Sequence, residues 1–157
     1  MKKRWFIYLV VALFSFSFVA CGDDDEGGTR DNPSTASDPA GTVVANLSNN
    51  YVTIVTPTSI KLNSSNNLQV DAGTSEARIV SVGSVNGLSS INKVPENGWS
   101  KEVAAIPGYG YIIKWIKSTN PTVYGYTRLY VVDWMTSTTG GIMGCTVKYQ
   151  EWTPANK

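Results

Sequence analysis

The chain has 157 residues, thirteen Lys and Arg against twelve Asp and Glu, and no histidine, for a formal charge of +1. That balance gives no reason to expect nucleic acid as a partner, and the missing histidine removes Ser/His/Asp relays, Cys/His relays and histidine metal sites. The length allows one domain with a real core behind a leader and a linker, and is too little for two.

Residues 1–20 have the three parts of a secretory leader: basic Lys2, Lys3 and Arg4, an uncharged apolar run from Trp5 to Val19, and the small Ala20 before Cys21. The box Phe18-Val19-Ala20-Cys21 places a thiol where bacterial lipoproteins accept a diacylglycerol, although Phe18 and Val19 depart from the commonest residues there. Cys21 is therefore the predicted lipid attachment point and the predicted membrane partner. The alternative is an uncleaved signal anchor, since about eighteen uncharged residues just span a hydrocarbon core. The targeting reading is preferred because it accounts for the small residue, the cysteine and the acidic run that follows together. Each buried acyl methylene contributes ~0.8 kcal/mol, so two or more chains on Cys21 would anchor the protein stably.

The stretch 21–40 holds six acidic residues and one basic, with only Ala36 and Ala40 as apolar side chains after Cys21. It cannot bury enough surface to offset the entropy of ordering, so a flexible tether is predicted. Its reach is about 24 Å as a coil, and roughly 60–70 Å if extended. Asp23, Asp24, Asp25 and Glu26, directly after the cysteine, resemble the surface-export signal of Bacteroidetes lipoproteins, which implies display on the cell exterior. Nothing in their spacing matches a calcium loop, and no metal or cofactor is expected.

From Gly41 to Lys157 the chain carries six acidic and nine scattered basic residues, and its aromatics are four Trp and seven Tyr. Short β-prone runs at 42–47, 51–55, 59–63, 68–72, 77–82, 109–116, 125–134 and 141–150 alternate with turn residues, and no segment keeps a 3.6 period. An all-β domain over 41–157 is predicted, an antiparallel sandwich or barrel-like sheet of about eight strands. The stretch 88–106 fits neither strand nor helix and reads as a long loop carrying Trp99. In 142–150, Met143, Cys145, Val147 and Tyr149 form the apolar parity, so Cys145 is expected to point inward. The polar connection 136–141 would let this run pair with the one before it as a hairpin. With Cys21 acylated, no internal disulfide remains possible, because Cys145 is the only other cysteine.

These segments in combination resemble a family of small uncharacterised lipoproteins of gut Bacteroidetes. The resemblance covers most of 38–150 and rests on DPAGTV at its start, IVSVGSVNGLSSI, the GW and PGYGYIIK that follow, and YTRLYVVDW leading to TGGIMGCTVKYQ. It implies export, lipidation and a β fold, and implies no activity.

Two functional classes are weighed on the residues themselves. For an enzyme only paired carboxylates remain, from Asp71, Glu76, Glu96, Glu102, Asp133 and Glu151, and several lie beside turn residues where acidic side chains are ordinary. Cys145 lacks a base partner. The chain is therefore read as no enzyme. A binding module is favoured by the aromatics: with Leu129 and Val131 on the core side, strict alternation sends Tyr124, Tyr126 and Arg128 outward. That row is the predicted binding face, for a glycan or a surface protein. The alternative is a structural or accessory component of an outer-membrane assembly without a small ligand.

Overall fold

In the computed structural model, which describes residues 38–73 and 76–155, the period-two runs become nine strands in two antiparallel sheets, with no α-helix among the described residues. They are β1 Val43–Leu47, β2 Val52–Val55, β3 Thr58–Leu62, β4 Asn67–Asp71, β5 Ala77–Ser84, β6 Glu102–Ala104, β7 Tyr109–Thr119, β8 Thr122–Thr136 and β9 Ile142–Trp152. One sheet runs β1-β9-β8-β7-β5 and the other β2-β3-β4-β6. The fold is an open sandwich and not a barrel. The strand added to the eight predicted runs is β6, whose three residues pair with Asn67–Gln69 of β4 and are too few to show an alternation in sequence.

Alternation explains the main core. Ile60 and Leu62 of β3, Leu68 and Val70 of β4, Tyr111, Ile113 and Trp115 of β7, Leu129 and Val131 of β8, and Cys145 and Val147 of β9 meet between the sheets. The opposite parity of β3 and β4 is Ser59, Lys61, Asn67, Gln69 and Asp71, so the outer side of the four-stranded sheet is polar and solvated. Within the core, the Trp115 ring lies on Gly125, where an added Cβ would sit 2.4 Å from its ring carbons. Only a residue without a Cβ leaves room there. Tyr111 is fully buried, accepting from the Ile106 N–H and donating to the Ala104 carbonyl, each at 2.9 Å, which ties the β6–β7 connection to the core.

Part of the outer side of the five-stranded sheet is covered instead of solvated. After β5 the chain crosses it through a 3₁₀ turn at Leu88–Ser90 and returns at Ser100, which exchanges two backbone hydrogen bonds with Ile79. Leu88 and Ile91 of this crossing bury themselves against Val80 and Ile112 as a second core, with Trp99, Tyr126, Tyr130 and Trp152 packed around it. Ile91 fits because Gly110 lies beneath it: a Cβ there would stand 2.8 Å from the Ile91 Cδ1.

The β8–β9 hairpin forms over the predicted connection, with Ser137 and Gly141 bonded and Gly140 at φ +83°. A bulge between Val131 and Asp133 breaks the parity of β8, so Trp134 turns to the main core although it shares even numbering with Tyr126 and Arg128. The end of the predicted tether is also different from expectation. Asp38 pairs with Lys148 at 2.7 Å, the Thr42 hydroxyl donates to the Pro39 carbonyl at 2.7 Å, and Gln150 donates to the Ala40 carbonyl, so residues 38–40 are held on β9.

Candidate functional site

The binding-face residues sit where the alternation of β8 sends them. Leu129 and Val131 are fully buried between the sheets, and Tyr124, Tyr126 and Arg128 are on the outer side, upstream of the bulge. Their roles there diverge. Tyr124, 41% exposed, stands at the rim, and Tyr126 is half-buried beside the second core. Burial first and the neighbouring Tyr124 second push the Tyr126 phenol above its ordinary value.

Arg128 corrects the expectation of an exposed cationic donor. Its Nε and one terminal nitrogen reach the Gln150 Oε1 at 2.8 and 2.6 Å, and the other terminal nitrogen donates to the Leu88 and Ile91 carbonyls at 3.1 and 3.2 Å. Those bonds use four of the five N–H groups of the guanidinium. Its plane also lies 5.7 Å from the Trp152 ring centre, and burial pulls its pKa below the ordinary value. Arg128 is thus the clamp that holds the 3₁₀ turn to the sheet. The sequence could not reveal this, since its partners lie 22 to 40 residues away.

What the clamp positions is a groove of about 820 Å³, walled by residues 92–96, Tyr126 and Ala155. Lys93 and Glu96 give it both signs of charge, Asn92 an amide, and Val94, Pro95 and the Tyr126 ring apolar surface. Volume and lining of this kind are those of a small-ligand or oligomer site. Sequence reading missed residues 92–96; the only sign of them was the apolar Leu88, Ile91 and Val94 within a segment otherwise rich in turn residues.

Tyr126 and Tyr124 also wall a second hollow of about 190 Å³, with Lys117, Glu151, Trp152 and Pro154. Tyr124 is shared again with a third of about 120 Å³, formed with Glu76, Arg78, Trp99 and Lys114. The Lys114 ammonium stands 4.2 Å from the Trp99 ring centre and 5.6 Å from that of Tyr124, and Arg78 pairs with Glu76 at 2.7 Å.

The candidate carboxylates are spread over turns, the four-stranded sheet and the hollows, with Glu76 paired to Arg78 at 2.7 Å. Glu102 accepts from Asn63, Asp71 from the Gly73 N–H and Asp133 from the Trp134 N–H, which are local turn and sheet contacts, while Glu96 and Glu151 line different hollows. Cys145 is fully buried, and burial raises its thiol to about 11, far from the thiolate a nucleophile needs. Cys21, Asp23, Asp24, Asp25 and Glu26 lie outside the described residues.

Fold and site together define a class: an open nine-stranded antiparallel sandwich with one outer face partly covered by a clamped crossing segment and a groove at the edge of that cover. No family model, curated protein or solved structure matches the chain.

Proposed function

We propose that this protein is a lipoprotein of the outer membrane, anchored through acylated Cys21 and displayed on the cell exterior, whose sandwich is a non-catalytic binding module for a glycan or a protein. The proposal includes membership of the Bacteroidetes lipoprotein family that the sequence resembles. The observation that carries the binding reading is the groove of about 820 Å³ with Tyr126 in its wall, one of the residues the alternation sends outward. Tyr supplies a flat apolar face with a polar handle, at low cost in conformational freedom. The non-catalytic part of the reading is supported by a Cys145 thiol sealed in the core and by Asp71, Glu102 and Asp133, whose carboxylates accept local hydrogen bonds.

A second reading, a structural component without a ligand, draws on Arg128, which is committed to the protein's own cover. The experiment that separates them is retention of the full chain on glycan and protein arrays, wild type beside Tyr126→Ala. Binding lost with Tyr126→Ala supports the module at this groove, equal retention of both forms moves the binding site away from Tyr126, and arrays that retain neither favour the structural component.

A further inference from the structure

The three hollows described above are not isolated. Tyr126 is a wall common to the first and second, and Tyr124 a wall common to the second and third, so they follow one another as a track from the outer side of the sheet around the end of β8 and β9. Aromatic rings divide and end it: Tyr126, Tyr124, Trp152 in the middle hollow and Trp99 in the last.

Both signs of charge occur in every hollow, four basic groups against three acidic in all. The first hollow holds Lys93 and Glu96, the second Lys117 and Glu151, and the third the Glu76–Arg78 pair together with Lys114, which is seated on the Trp99 ring. A track that alternates signs at each step presents no sustained field, so it gives no preference to a polyanion or a polycation. It nevertheless offers donors and acceptors at every step. Two Tyr and two Trp rings over three hollows suit a ligand that stacks ring on ring more than the backbone pairing by which peptides add to sheets. A ligand that suits rings, mixed polar groups and a succession of hollows is a chain of neutral, hydroxyl-rich rings.

We propose that the track from residues 92–96 through Tyr126 and Tyr124 to Trp99 binds a neutral oligosaccharide across successive subsites. This rests on the binding-module reading and names its ligand class. Tyr126 serves every ligand, because it walls the largest hollow, where a short oligomer seats. Tyr124 serves only oligomers long enough to pass into the second and third hollows.

The test uses the purified full chain in detergent, with titration calorimetry as readout, which reports a ligand in any of the three hollows. The probes are the di- and hexasaccharides of maltose, cellulose, xylan and mannan series, with a heparin hexasaccharide as the anionic comparison. At least one neutral hexasaccharide should bind more tightly than its disaccharide. Tyr124→Ala should weaken the hexasaccharide roughly fivefold to tenfold and leave the disaccharide unchanged, whereas Tyr126→Ala should weaken both. Because Tyr126 also packs on the second core, Asn92→Ala, at an exposed position of the same groove, is measured beside it and should weaken both probes too.

Absence of binding by every neutral hexasaccharide overturns the inference, as does an affinity independent of length or a Tyr124→Ala effect equal on both lengths. Binding of heparin alone overturns it as well, and if that binding needs Tyr126 the binding module itself stands. Should Tyr126→Ala and Asn92→Ala both leave retention on arrays unchanged, the track is overturned and a binding module with its site elsewhere stands; should no array retain the wild type, the broader reading fails with it.

Discussion

Tyr111 and Cys145 show what full burial does to an ionisable side chain. Burial, the larger effect, raises the Tyr111 phenol from 10.0 to about 12 against the opposing hydrogen bond from Ile106, and burial raises the Cys145 thiol from 9.0 to about 11. Both folded-state values exceed the unfolded ones, so the unfolded chain releases these protons first. The stability they contribute is whole below the unfolded values, is lost for Cys145 as the pH rises from about 9 to about 11, and for Tyr111 from about 10 to about 12. Urea unfolding across this alkaline range should show falling stability, with the lower part of the fall removed in Cys145→Ala and the upper part in Tyr111→Phe. A fall of the same shape in both variants would assign it to other groups. Tyr111→Phe should also cost about 1–3 kcal/mol at neutral pH, since it strips the Ile106 N–H and Ala104 carbonyl of their partner.

Among the elements, the crossing segment between β5 and β6 depends on contacts of a different kind from the strands. Strands are fixed by ladders and by two-sided packing, but this segment has a single 3₁₀ turn, the small second core and the Arg128 fork. Lysine keeps the charge and loses the planar fork. Arg128→Lys should therefore free the turn while sparing the main core, at a cost of about 1.5–3 kcal/mol for the hydrogen bonds to a charged group. Hydrogen exchange is the measurement: the Ile91 amide, bonded to the Leu88 carbonyl, should exchange faster, and the Leu62 amide of β3, bonded to the Ser48 carbonyl, should not. Equal acceleration of both would mean that Arg128 supports the whole sandwich and not the cover alone. Gly110→Val should have the same local signature by another route, because its side chain would occupy the space of Ile91.

For the molecule as a whole, the proposed anchoring and display rest on Cys21 and on Asp23, Asp24, Asp25 and Glu26, outside the described strands. Lipid attachment should depend on Cys21, because Cys145 is sealed in the core. Cys21→Ala should abolish incorporation of labelled palmitate, and label retained at the wild-type level would remove the lipoprotein proposal. Replacing Asp23, Asp24, Asp25 and Glu26 together with Ala should leave a folded, lipidated protein that protease added to intact cells no longer reaches; an unchanged cleavage pattern would reduce the run to a spacer. Any soluble form of the domain should start no later than Asp38, since its pair with Lys148 and the Ala40–Gln150 contact belong to the sandwich.

The sequence by itself determined the fold class, most strand positions and the sidedness of β8, because period-two alternation is local and a half-buried sheet writes it directly into neighbouring residues. It placed Leu129, Val131 and Cys145 inside, and it sent Tyr124 and Tyr126 outward. Only the tertiary structure decided that β6 exists, since three residues carry no period and their pairing with β4 lies more than thirty residues away. It also decided that Trp134 leaves the face of Tyr126, through a bulge that has no signature in residue type. The function of Arg128 and the groove at 92–96 were equally out of reach. Both arise where a turn-rich segment folds back over a finished sheet, and that meeting depends on hydrogen bonds and packing between residues that sequence patterns treat as unrelated.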